Sequence, residues 1–284
     1  MSVSGYSRTA ADALEVWIML KRIITSVVAL GIFFGIIIAG TIPFQIAMGL
    51  VILLMLHEVF GAITDSAALK ASGYIMSLIL MAGMYFGMAE PAMCAMLVIT
   101  MVMLIALHGK KDYREVFSAA FMTVYITLFM GCIALLKGIG TEYMAFVFII
   151  AWGSDTAAYF CGTFLGKHKL IPHVSPKKTV EGSVGAVVFA ALFTMLYVFI
   201  MDRLGMPIGG NAPAAIDYIK LGALGMVGSA ASQIGDLCAS AVKRDTGIKD
   251  YGSIFPGHGG FMDRFDSVMF VAPFVYFCCL FVII

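Results

Sequence analysis

Nine stretches of this sequence are apolar over roughly the length a helix needs to cross a bilayer, and that feature narrows the possible folds more than any other. A spanning helix requires about 20 mostly apolar residues. Segments 23–40, 42–56, 73–88, 91–107, 116–136, 143–165, 183–201, 219–240 and 268–284 approach or meet that length, the second, third and fourth by borrowing flanking residues. Inside hydrocarbon each backbone N–H and C=O must be satisfied internally, so such segments are helical. The expectation is an all-α polytopic membrane protein with about nine transmembrane helices. No repeat, linker or low-complexity run divides it, so residues 1–284 read as a single membrane domain. Composition excludes the alternatives: with 61% hydrophobic and 12% charged residues, polar side chains are too few to cover a soluble 30.5 kDa globule. Eighteen Lys and Arg against 17 Asp and Glu give a net charge of +1, which argues against a nucleic-acid partner. The six cysteines form no C-x-x-C pair and read as small buried hydrophobes.

The ends and loops set an orientation. Asp12 and Glu15 precede Lys21–Arg22, which is the wrong charge order for a cleavable signal peptide. Residues 10–20 read instead as a short interfacial helix anchored by Trp17. With the N-terminus inside, 15 of the 18 Lys and Arg fall in inside segments, two (Lys137 and Arg203) fall outside, and Lys220 lies at a helix end. By the positive-inside rule this predicts N-in and C-out, with segments 166–182 and 241–267 as cytoplasmic loops framing a cytoplasmic-facing polar cavity.

Charged residues within a span cost about 2.5–3.5 kcal/mol on insertion scales, which makes them candidates for function. Asp155 in the sixth span and Asp236 in the eighth are the clear cases. At about 100° per residue, Ser229, Ser232, Asp236, Ser240 and Lys243 share one stripe of the eighth span, and Tyr159 and Gly162 share a face with Asp155. Such groups also serve simply to hydrogen-bond helices together. The segment 241–267 is dense in both signs: Lys243, Arg244, Lys249 and Arg264 balance Asp245, Asp250, Asp263 and Asp266. That mixture suits a site where divalent cations meet phosphates. Asp263 and Asp266 are spaced i, i+3, so a helical turn places both on one face. Gly257, Gly259 and Gly260 around His258 allow the backbone to approach an anionic ligand closely. In segment 166–182 four lysines against Glu181 give a basic patch, a pattern that also arises from topology and anionic lipid alone. Two decoys fail on spacing. Gly162–Lys167 lacks one residue and the Ser or Thr of a Walker A loop, and His57–Glu58 is followed by Gly61 where a zinc-protease helix needs its second His.

The run Ser240, Lys243–Arg244, Lys249–Asp250, Pro256, His258–Gly259–Gly260, Asp263–Arg264 and Asp266 resembles the C-terminal signature of phosphatidate cytidylyltransferases (CDP-diacylglycerol synthases). Ser175-Pro-Lys-Lys-Thr-Val-Glu-Gly182 is similar to the family's other cytoplasmic motif, with Val180 in place of its usual Trp, and Trp152-Gly-Ser-Asp-Thr156 also fits. These motifs lie in the last half of the chain; spans one to five match only in kind. The resemblance implies transfer of a cytidylyl group from CTP to phosphatidate at the inner membrane of a bacterium, with a homodimer as the plausible assembly. It also implies Mg²⁺ held by Asp236 and Asp263, with Asp266 a lesser candidate, and a second cation such as K⁺ sharing those carboxylates. Lys243, Arg244 and Arg264 are then expected at the triphosphate, and Lys177 and Lys178 at either the CTP phosphates or the lipid headgroup. His258 and Ser240 are expected to position phosphate oxygens, and Lys249, Asp250, Gly259 and Gly260 to line the substrate site. Asp155 is left between holding metal and orienting a basic residue. The competing readings are a CTP-dependent polyprenol or phytol kinase and, in another class, a secondary transporter. The complete signature disfavours the first, and the absence of repeated halves disfavours the second.

Overall fold

The computed structural model describes residues 24–283 apart from Asn211, Pro256 and His258. The expected interfacial helix at 10–20 therefore lies outside the described residues. Among the described residues there are nine helices. They are α1 (Ile24–Ile38), α2 (Thr41–Ile63), α3 (Ala67–Tyr85), α4 (Ala89–Ala106), α5 (Tyr113–Ile139), α6 (Thr141–Leu165), α7 (Val180–Arg203), α8 (Ala215–Asp245) and α9 (Met262–Cys278). A π-helical turn, Cys279–Ile283, continues α9. Between α6 and α7 the strands β1 (Lys169–Ile171) and β2 (Ser175–Thr179) form an antiparallel hairpin with Lys169 opposite Thr179 and Ile171 opposite Ser175.

Seven of the described helices, α2 to α7 and α9 with its extension to Phe281, are long and apolar enough to cross a membrane. The chain is an integral membrane protein with an all-α fold. At 31 residues α8 is longer than any of the seven, yet it falls outside that set because glycines and a row of Ser, Gln and Asp side chains interrupt its apolar surface.

Local chemistry sets the helix ends. Asp112 Oδ1 accepts the Arg114 N–H at 2.8 Å to start α5, and Thr179 Oγ1 accepts the Gly182 N–H at 3.2 Å to start α7 directly from the hairpin. Gly247, at φ 71°, ends α8 by letting the Ile248 N–H reach back to the Lys243 carbonyl at 3.0 Å. Two expected loops are thereby revised. Segment 166–182, expected as a loop, holds the hairpin over 169–179 and the start of α7 at Val180. Segment 241–267 is a loop only over 246–261, because α8 runs on to Asp245 and α9 already begins at Met262. Helix α2 likewise passes the expected end at 56 and carries His57 and Glu58 within it.

The main core lies among α2, α5, α6 and α9, where Phe44, Ile52, Leu56, Phe60, Ile126 and Phe146 are fully buried. In lipid, helices associate through dispersion, close approach of small residues and interhelical hydrogen bonds. Gly182 of α7 meets α6 so closely that a Cβ there would lie 2.7 Å from the Ala158 carbonyl oxygen. Ser154 of α6 and Ser229 of α8 share a hydroxyl bond of 2.7 Å, and Thr127 of α5 donates to Ser77 of α3 at 2.8 Å. Each such bond contributes about 0.6 kcal/mol on average. This packing gathers the C-terminal ends of α2, α6 and α8 and the N-terminal ends of α7 and α9 at one end of the bundle, beside the hairpin.

Candidate active site

Where those helix ends meet, a cavity of about 360 Å³ is lined by Asp155, Tyr159 and Gly162 of α6, Lys177, Lys178 and Thr179 of the hairpin, Ser183 of α7, and Gln233 and Asp236 of α8. The three segments singled out for Asp155, for the basic patch and for the intramembrane stripe thus face one space. Lys178 Nζ lies 2.5 Å from Asp236 Oδ2, and the Ser240 hydroxyl donates to Asp236 Oδ1 at 3.3 Å. Asp155 is exposed and lines the cavity, with the Ser267 hydroxyl beside it. Asp155, Asp236 and Asp266 are close enough to repel one another. Asp266 sits in the first turns of α9, its Oδ1 accepting the Ser267 N–H at 2.8 Å. Below this level Gln233 bridges α7 and α8, its amide donating to the Ser183 carbonyl at 3.3 Å and to Ser229 Oγ at 3.4 Å. A second cavity, of about 400 Å³, is almost wholly apolar, lies among α2, α3 and α5, and shares no residue with the first.

Next to this cavity the signature loop closes on Asp263. Lys243 Nζ approaches Oδ1 at 2.9 Å, while the N–H groups of Tyr251 and Gly260 donate to Oδ2 at 2.8 and 3.0 Å. The Lys243 ammonium also lies 5.6 Å from the centre of the Tyr251 ring, and the Tyr251 hydroxyl donates to the Ala239 carbonyl at 3.0 Å. Burial, and then the nearby Asp263 and Asp266 charges, holds that hydroxyl well above the ordinary tyrosine range. Gly259 adopts φ 81°, and a Cβ there would press on the Asp263 carboxylate at 2.8 Å. The glycines expected to admit an anionic ligand thus close around a carboxylate of the protein, because Asp263 takes the Gly260 N–H.

The hairpin is held from both sides. Glu181 at the start of α7 accepts from His168 Nδ1 at 2.6 Å and from the Lys167 N–H at 3.1 Å, and Arg244 Nε donates to the Val174 carbonyl at 3.4 Å. Of the expected site residues, the cavity brings together Asp155, Lys177, Lys178 and Asp236, with Ser240 bonded to Asp236. Lys243, Asp263, Gly259 and Gly260 form the adjoining clasp. Lys249, Asp250 and Arg264 are exposed, Arg244 reaches the hairpin turn, and His258 lies outside the described residues. Sequence reasoning does not single out Tyr251, Ser183 or Gln233, and it meets Glu58 only as part of a failed zinc-protease motif. Glu58 had a usable signal, a lone carboxylate within Met-Leu-His-Glu-Val-Phe, but it was set outside the second span.

The sequence matches the Cytidylyltransferase family over residues 20–282. The chain belongs to that family. A phosphatidate cytidylyltransferase of Bacillus subtilis is 32% identical over 272 residues, covering 91% of this chain and 97% of the relative. One from Staphylococcus aureus (strain COL) is 29% identical over 262 residues, covering 90% and 96%. One from Staphylococcus saprophyticus is 42% identical over 134 residues, 47% of each chain. Family membership makes the protein a membrane-embedded nucleotidyltransferase. The lipid-kinase and transporter readings find no support in these relatives.

Proposed function

We propose that the protein is a phosphatidate cytidylyltransferase that converts CTP and phosphatidate to CDP-diacylglycerol and diphosphate at the cavity between the hairpin and α8. A phosphatidate oxygen forms a bond to the α-phosphorus of CTP, and the bond from that phosphorus to the bridging oxygen breaks as diphosphate leaves with the electron pair. The nucleophile is already anionic, so the demand is to bring two anions together and align them rather than to remove a proton. The observation that carries this reading is the pairing of Lys178 with Asp236 in a cavity lined by the Ser175–Gly182 motif and by Asp155, with Ser240 of the C-terminal signature bonded to Asp236. Lys177 and Lys178 receive phosphate oxygens, and as Lys178 turns to phosphate it uncovers Asp236. Lys243 and Arg244, on the last turn of α8, face the triphosphate side.

The donor set fits Mg²⁺. Asp155, Asp236 and Asp266 bring hard oxygens into mutual repulsion, with Lys178 paired to Asp236 and Lys243, itself bound to Asp263, near Asp266, an excess of negative charge that a divalent ion would relieve. Among the described residues no three acidic, His or Cys side chains are drawn tightly enough to form a complete ligand shell. That suits Mg²⁺, which is held through one or two carboxylates and completes its shell with waters and substrate phosphates. Asp236 would be the first of these ligands, with Asp266 and Asp155 beside it. Asp263 takes two N–H groups on Oδ2 and Lys243 on Oδ1, so it would reach a metal through the remaining lone pair of Oδ1. A K⁺ ion would draw on the same carboxylates. Bound Mg²⁺ would supply charge neutralisation at the α-phosphate and the departing diphosphate. The basic residues bias this end of the bundle to the cytoplasm, where CTP is made, while phosphatidate enters sideways from the inner leaflet.

Detergent-purified protein supplied with CTP labelled at the α-phosphate and with phosphatidate tests the reading. Label in a lipid product only when Mg²⁺ and phosphatidate are both present is the expected result. A γ-phosphate transfer to lipid, which leaves the α-label in solution, would overturn it.

A further inference from the structure

Helix α9 carries Asp263 and Asp266, and its depth and rotation are set from the opposite half of the chain. Glu58, 6% exposed on the last turns of α2, accepts the Phe261 N–H on Oε1 at 3.0 Å and the Met262 N–H on Oε2 at 2.9 Å. Two oxygens on two successive N–H groups fix rotation as well as distance, which one acceptor cannot do. They also satisfy donors that every helix leaves unpaired at its N-terminus, with a charge the helix dipole favours. The loop is moulded to this carboxylate: a Cβ on Gly252 or on Gly260 would collide with the Glu58 carboxyl. Phe60, two residues along, is fully buried and locks the same stretch of α2 into the core.

We propose that Glu58 is a positioning residue for catalysis, acting through α9 to hold Asp263 and Asp266 in register with Asp236 and the cavity. The inference rests on the cytidylyltransfer proposed above. Reacting groups displaced by about 1 Å lose on the order of 100-fold in rate, so loosening this clamp acts on turnover before it acts on substrate affinity. Lys178 and the hairpin, which do not depend on α9, keep their grip on phosphate.

The test compares Glu58→Gln, Glu58→Asp and Gly260→Ala with the unsubstituted chain, using kcat, KM for CTP and for phosphatidate, and the thermal midpoint in detergent. Glu58→Gln retains the size of the side chain and one acceptor, so it serves where Glu58→Ala would fail to fold. The expected result is a kcat lowered about 10- to 100-fold for Glu58→Gln with both KM values within about threefold. Gly260→Ala should reproduce that split by pushing on the same carboxylate, and Glu58→Asp should recover part of the lost kcat. Folded Glu58→Gln protein with an unchanged kcat overturns the proposal. So does a loss shared equally by kcat, KM and thermal midpoint, which marks a scaffold role only. Absence of label transfer by the unsubstituted chain fails the function reading instead, so the two failures are distinguishable.

Discussion

Removing the ammonium of Lys243 leaves Asp263 buried with its one cationic partner, of three partners in all, gone. The pair is 2.9 Å apart, with the Lys243 side chain 14% and the Asp263 side chain 3% exposed, so solvent screens it little. Deleting one partner of such a pair costs about 3–5 kcal/mol, mostly because the survivor is left charged and uncompensated. Asp263 keeps the Tyr251 and Gly260 N–H groups on Oδ2, which places Lys243→Met near the lower end. For a chain of this size about 3 kcal/mol corresponds to roughly 6–12 °C in the unfolding midpoint. Asp263→Asn removes the charge from the other side and leaves the ammonium facing a neutral amide, a cost of similar size. The double variant carries neither charge, so it should be more stable than the sum of the two losses by about 1–3 kcal/mol.

The assay is thermal unfolding of all four proteins in one detergent at one scan rate. Strict additivity, or a Lys243→Met midpoint within about 2 °C of the parent, would refute the reasoning. Either result would mean that Lys243 does not hold Asp263 in solution, and the clasp would lose its claim to shape the site.

Lys178→Ala should raise KM for CTP or phosphatidate about tenfold while moving the midpoint little, because the Lys178 and Asp236 side chains are 24% and 29% exposed. Unchanged Michaelis constants for both substrates would remove Lys178 from phosphate contact. Tyr251 gives a pH prediction: its hydroxyl titrates above the ordinary value in the folded chain, so the stability it contributes is complete below about pH 10 and is lost as pH rises beyond that. Tyr251→Phe should flatten this alkaline limb while losing about 1 kcal/mol at neutral pH with the bond to Ala239, and parallel limbs would contradict the assignment. A cysteine placed beside Lys110 should react with an impermeant reagent only from the cytoplasmic face; labelling from the far side would reverse the orientation.

The helical architecture was legible because hydropathy reports directly on what a bilayer tolerates. It misled at the ends of α2 and α9, where a carboxylate near an apolar run reads as a boundary. In the folded chain Glu58 is compensated by backbone donors some 200 residues away, a pairing that no local pattern encodes. For α8 the same reasoning worked in reverse: Asp236, Ser240 and Lys243 were recognisable as a stripe, and the structure turns that stripe toward Lys178 and Asp263. The hairpin was hidden because Ser-Pro-Lys-Lys-Thr carries no apolar alternation. Its strands are held by Glu181 and Arg244 rather than by a buried face.

The glycines of the signature show how a correct local inference attaches to a different partner. Gly259 and Gly260 do bring backbone close to anions, as their lack of side chains predicts, but the anions are Asp263 and Glu58. Three N–H groups at the start of α9, those of Gly260, Phe261 and Met262, are therefore committed to the protein's own carboxylates. A helix N-terminus already filled in this way has little left for a phosphate. In the proposed reaction, recognition of two phosphorylated substrates then falls to side-chain cations on the hairpin and on the last turn of α8. Those cations can release Asp236 when substrate arrives, whereas a helix terminus is fixed in place. This explains why Lys178 rests on Asp236: each charge keeps the other compensated within the cavity until a phosphate replaces one of them.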